Sequence, residues 1–84
     1  MSDRARGQAS SELLALGQAI RRRREAKGWI LETLAAETGI SRRMLIGIEQ
    51  GRRNPGVASL FALASALGVR AADLIAEAEV DRDQ

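Results

Sequence analysis

Apolar residues recur along this chain at steps of three and four, and glycine punctuates the recurrence. Leu13, Leu16 and Ile20 form the first stripe, opened by Ser11-Glu12 and stopped at Gly28, and they predict a helix over residues 12–27. Leu31, Leu34 and Ala35 share a face of a short second helix that opens at Trp29-Ile30-Leu31 and closes at Thr38-Gly39. Ser41 then supplies an N-cap, and Leu45, Ile48 and Glu49 fall on one side of a third helix that ends at Gly51. Arg52-Arg53-Asn54-Pro55-Gly56 concentrates breakers and reads as a loop. A fourth helix over residues 58–67 turns Leu60, Leu63, Ala64 and Leu67 inward before Gly68, and a fifth over residues 71–78 places Leu74 and Ile75 on the core. The expected organisation is a flexible basic arm over residues 1–10 carrying Arg4 and Arg6, one all-α five-helix domain over residues 11–79, and an acidic tail over residues 80–84.

Within this order, helices 2 and 3 form a unit with its own logic. Two short helices joined by a turn of three or four residues containing glycine are the signature of a helix-turn-helix. Ala35 is small where the helices must approach, Gly39 permits positive φ at the turn, Ile40 plugs the angle, and Ser41 caps the second helix while its N-terminus faces outward. Arg24 follows Ile20 by four residues and Glu49 follows Leu45 by four, so each charge continues the inward stripe of its helix. Opposite charges turned toward one core edge are expected to pair, tying helix 1 to helix 3.

Composition narrows the chemistry. At 84 residues there is room for one core, and the chain is 45% apolar yet has only Trp29 and Phe61 as aromatics, so Leu, Ile, Val and Ala must build that core. Cysteine and histidine are absent, which removes disulfides, thiolate and imidazole metal sites and the commonest general base. Ser10, Ser11 and Ser41 have no base beside them, so neither an enzyme nor a cofactor or metal site is expected. No signal-peptide h-region or run of about 18 apolar residues occurs, and a cytoplasmic, nucleoid-associated protein is the expectation. The net charge of +2 is unevenly spread: residues 21–53 carry nine Arg/Lys against four acids, and residues 70–84 carry two against five. A located basic excess is the footprint of a polyanion partner as well as the pattern of a solvated helix face.

The register Leu16-Gly17, Ile20-Arg21, Arg24, Lys27-Gly28, Leu34-Ala35, Gly39-Ile40-Ser41, Ile48-Glu49, Gly51, Pro55 and Leu67-Gly68-Val69 resembles the phage-repressor-like, or XRE-type (Cro/C1-like), helix-turn-helix transcriptional regulators over residues 13–75. The stretch Ile48-Glu49-Gln50-Gly51-Arg52-Arg53-Asn54-Pro55 is its most specific part. The resemblance implies a lambda-repressor-like bundle that binds double-stranded DNA with helix 3, about residues 42–50, in the major groove. It places base reading at Ser41, Arg42, Arg43, Met44 and Gly47, and phosphate contacts at Arg24, Leu31, Arg52, Arg53 and Asn54. Arg42 and Arg43 each suit a bidentate contact to guanine O6 and N7, or one of them holds phosphate instead. The resemblance also implies that Arg24 pairs with Glu49.

Three departures from the family pattern bear on this expectation. Gly47 stands where a long polar side chain is usual, and offers either a close backbone approach or a narrower footprint. Leu31 replaces a phosphate-anchoring Gln, leaving only backbone N–H groups. Met44 and Ile46 are apolar on a face expected to be exposed, suited to thymine methyls or to a protein neighbour. Together they define the rival reading, a protein-interaction module on a helix-turn-helix scaffold. A module this small grips a short stretch of DNA, so a homodimer on a palindromic operator with half-sites about 34 Å apart is expected, joined through Leu74, Ile75 and Val80 of helix 5. If the 84 residues are complete, repression or autoregulation governed by protein concentration or a protein partner is expected.

Overall fold

The computed structural model describes residues 3–83 and the side chains of residues 11–83. Five helices, α1 (Asp3–Ala26), α2 (Leu31–Thr38), α3 (Arg42–Glu49), α4 (Gly56–Leu67) and α5 (Ala71–Arg82), account for most of them, with no strand among the described residues. Every helix sends at least one aliphatic side chain to complete burial: Ile20 from α1, Leu34 from α2, Leu45 and Ile48 from α3, Leu63 from α4 and Leu74 from α5. Each such side chain is worth about 1.5–3 kcal/mol relative to exposure, so these six supply much of the drive for closure. α1 is the hub, touching α3, α4 and α5, while α2 lies against α3 and α4.

The contact between α1 and α3 is unusually close because α1 offers Gly17 there. A Cβ at Gly17 would run into the backbone oxygens of Ile48 and Glu49, and one at Gly51 would meet the Leu14 backbone. Gly51 also has φ +74°, so glycine answers two demands at that position. At the other end of the molecule the Val69 N–H bonds the Ala64 carbonyl at 3.0 Å, closing α4, and α5 leaves at 101° to lie across α1.

Several expected boundaries are corrected. α1 begins at Asp3, not near residue 12, so residues 3–10 are helical backbone where an irregular arm was expected. Nothing in that segment breaks a helix, since it has no proline and Gly7 costs only about 1 kcal/mol. The side chains of Arg4 and Arg6 lie outside the described residues. α4 starts at Gly56, two residues early, and α5 runs to Arg82 through most of the expected acidic tail. The reason for the second extension is electrostatic: Glu77 and Asp81 receive Arg22 of α1, Glu77 also receives Arg23 at 3.0 Å, and Arg82 reaches Glu12 at 2.8 Å. Ile75 is 40% exposed and does not close the core as expected, whereas Leu74 is fully buried and therefore unavailable as an interface residue. No single described helix is long and apolar enough to cross a membrane.

Candidate nucleic-acid interface

The α2–α3 turn is built by local hydrogen bonds. Gly39 adopts φ 76° and its N–H bonds the Ala35 carbonyl at 2.8 Å, ending α2 in the left-handed conformation that side-chain-bearing residues avoid. The Thr38 hydroxyl donates to the Leu34 carbonyl at 2.7 Å and accepts from the Ile40 N–H at 3.2 Å. Half-buried Ile40 packs on the core, so the chain re-enters helix at Ser41, whose Oγ accepts from the Met44 N–H at 3.1 Å. Ser41, Arg42 and Arg43 are thereby left exposed at the start of α3.

The opposite side of α3 is locked. Arg24 donates from Nε and Nη2 to the two Glu49 carboxylate oxygens at 2.8 and 2.9 Å, and from Nη1 to the Trp29 carbonyl at 2.7 Å. Arg24 and Glu49 are only 9% and 8% exposed. The hydrogen bonds it donates to Glu49 push the Arg24 guanidinium above its already high ordinary value, outweighing burial. Each terminal nitrogen keeps one N–H, beside a surface dent lined by Arg21, Leu31, Ile46, Glu49 and Gln50.

The arginines outside this pair divide sharply. Arg43, Arg52 and Arg53 are exposed and, among the described residues, have no carboxylate within 4.0 Å. Arg42 donates from Nε to Glu32 Oε1 at 2.6 Å, across the turn from the start of α2. Asn54 spends the acceptor half of its amide on the Gly56 N–H at 3.0 Å. Arg21, by contrast, pairs with Glu25 on its own helix at 3.2 Å, and Arg22 and Arg23 are occupied by α5. Arg22 and Arg23 are thus taken by a carboxylate more than fifty residues away.

Two of the expected reading positions have packing roles within the fold. Gly47 is buried, not exposed to a base: the Arg53 side-chain stem lies where its Cβ would be, and its carbonyl accepts the N–H groups of Arg52 and Arg53 at 2.8 and 3.1 Å. The glycine is needed to let the following loop fold back over α3. Met44 is half-buried and packs against the core, which accounts for its apolar character without a thymine. Ile46 is half-buried as well, in the wall of the dent beside Arg24. Glu32 is the functional candidate that the sequence reading passed over. Its ten-residue separation from Arg42 signals nothing until the helix-turn-helix geometry folds the two together.

A sequence profile of helix-turn-helix domains, HTH_3, matches residues 20–74. An uncharacterised HTH-type transcriptional regulator of Sinorhizobium fredii, y4dJ, is 42% identical over 60 residues, covering 71% of this chain and 78% of that protein. The HTH-type transcriptional regulator SutR of Escherichia coli is 39% identical over 54 residues, 64% of this chain, which spans only 30% of SutR. Among solved structures, the restriction-modification controller protein C.AhdI of Aeromonas hydrophila superposes with a TM-score of 0.72 at 39% identity, covering 74% of this chain and 94% of its own. The clp gene regulator ClgR of Corynebacterium glutamicum gives 0.83 at 33% identity over 86% of this chain and 77% of its own.

Proposed function

Because the chain belongs to the XRE-type helix-turn-helix family of DNA-binding transcriptional regulators, we propose that it represses or autoregulates genes by seating α3 in the major groove of a palindromic operator as a homodimer. The observation that carries this reading is the one-sided distribution of unpaired charge. Among the described residues, Arg43, Arg52 and Arg53 stand around α3 without acidic partners, whereas Arg21, Arg22, Arg23, Arg24 and Arg82 all reach carboxylates. In this reading Arg42 and Arg43 take guanine edges, and Ser41 holds the helix start against the groove floor. Arg52, Arg53 and Asn54 bind phosphate from the loop, joined by the backbone of Leu31 and the spare N–H groups of Arg24.

The two structural neighbours are named for different targets, a restriction–modification system and clp genes. Their shared scaffold leaves target choice to the exposed residues of α3. For the homodimer, α4 offers the better surface than α5: it contains no charged residue, and Val57 and Phe61, one turn apart, are 70% and 63% exposed. Two uncharged faces meet across a two-fold axis without like-charge repulsion.

Selection from random duplexes tests the reading. Wild type is expected to enrich one motif, with Arg42→Ala and Arg43→Ala each relaxing it at a defined base pair. Binding should weaken steeply with salt as phosphate counterions are released. Absence of any enriched motif, or affinity indifferent to salt, would overturn it in favour of a protein-interaction module.

A further inference from the structure

Glu32 is an acid at the second position of α2, ten residues ahead of Arg42 and joined to it across the turn. On a surface proposed to face phosphates, a carboxylate weakens general attraction to DNA, so its presence there asks for a compensating role. The geometry supplies one. Glu32 engages Arg42 at Nε, the root of the guanidinium, and leaves Nη1 and Nη2 uncommitted among the described residues. Those two nitrogens form the fork that matches O6 and N7 of guanine. Arg43, its neighbour in the chain, has no such tether.

Building on the proposal that α3 enters the major groove, we infer that Glu32 is a positioning residue that holds Arg42 as a guanine reader and keeps it from serving as a phosphate clamp. A free arginine swings between base and backbone, and phosphate, with its full charge, competes well for it. Tethering Nε removes rotamers that point to the backbone and pre-pays the ordering of the side chain. The carboxylate is itself held by its own backbone N–H at the positive end of α2, and then by Arg42, which together keep it below the usual carboxylate range. The tether is therefore ionised at neutral pH and is lost only as pH falls through that depressed value. Both side chains are more than half exposed, so the pair contributes little to stability and its removal leaves the fold in place.

The test uses the motif enriched by the wild-type chain, with Glu32→Gln, Arg42→Ala and the double variant. Kd is measured on the selected duplex and on duplexes altered at the base pair that Arg42→Ala relaxes. Glu32→Gln is expected to cut discrimination at that base pair about 5-fold or more, within the range a bidentate arginine provides. It should also steepen the salt dependence by about one phosphate contact. Adding Glu32→Gln to Arg42→Ala should change discrimination no further. A uniform loss of affinity with discrimination intact would overturn the role of Glu32 alone, whereas a wild type that enriches no motif overturns the major-groove reading together with it.

Discussion

Four arginines sit in a row on α1 and four more flank α3 in two pairs, yet the two groups behave differently. On α1, Arg21, Arg22, Arg23 and Arg24 all end on carboxylates, with Glu25, Glu77, Asp81 and Glu49 as partners. Around α3, only Arg42 has one, and Arg43, Arg52 and Arg53 have none among the described residues. Arginine clustering by itself therefore says little about where DNA binds. What distinguishes the two faces is whether acids from elsewhere in the chain fold over them. The acidic segment near the C-terminus does this for Arg22 and Arg23 of α1 and reaches none of the arginines around α3.

The comparison breaks most easily at Arg24–Glu49. Glu49→Gln keeps the shape but strands a guanidinium that is only 10% exposed, and is expected to cost about 3–5 kcal/mol. For a domain whose total stability is of order 5–15 kcal/mol, this is a large share, readable by urea denaturation. A loss below about 1 kcal/mol would show the pair to be effectively solvated, erasing the distinction between a structural and an exposed arginine. Gly17→Ala attacks the same seam without touching charge. Its Cβ would meet the Ile48 and Glu49 carbonyls, and overpacking of about 1–3 kcal/mol is expected in the same assay.

These two positions also mark what the sequence could and could not reveal. The apolar stripes, the Gly39–Ser41 turn and the inward placement of Arg24 and Glu49 follow from local periodicity, which is a property of single helices. The full length of α5 does not, because Glu77 and Asp81 are helix-stabilised only through α1, far away in the chain. Gly47 was illegible for a similar reason. A glycine in a recognition helix suggests contact with DNA, whereas the structure spends it on the stem of Arg53 from the next loop. Leu74 and Ile75, adjacent in the chain, were read alike and separate only when α5 is laid across α1.

On the α3 face the expected effects move from stability to recognition. Arg43→Ala should lower discrimination at its base pair by about 1–3 kcal/mol, measured by titrating matched and altered duplexes. Its thermal midpoint should stay close to wild type, because an exposed side chain without an ion-pair partner contributes within about 0.5 kcal/mol to folding. If Arg43→Ala instead unfolds the domain and leaves discrimination unchanged, the arginine belongs with those of α1.

The smallest effect is the most pointed. Glu77→Gln removes the carboxylate shared by Arg22 and Arg23, whose side chains remain 47% and 42% exposed. Such pairs are worth about 0–1 kcal/mol each and are screened by salt, so the variant should lose no more than about 8 °C in thermal midpoint at low salt and converge on wild type as salt is added. Asp81 still holds Arg22, which limits the loss further. The variant nevertheless frees positive charge on α1, and this gives it a second use. If the α1–α5 face lies away from the DNA, the salt dependence of operator binding should be the same for Glu77→Gln and wild type, since no new phosphate is contacted. A slope steeper by about one contact would mean that the freed arginine reaches the backbone. The acids of α5 would then limit the DNA footprint as well as bracing the fold, and the two faces would be one surface whose extent is set by how many arginines the chain keeps occupied.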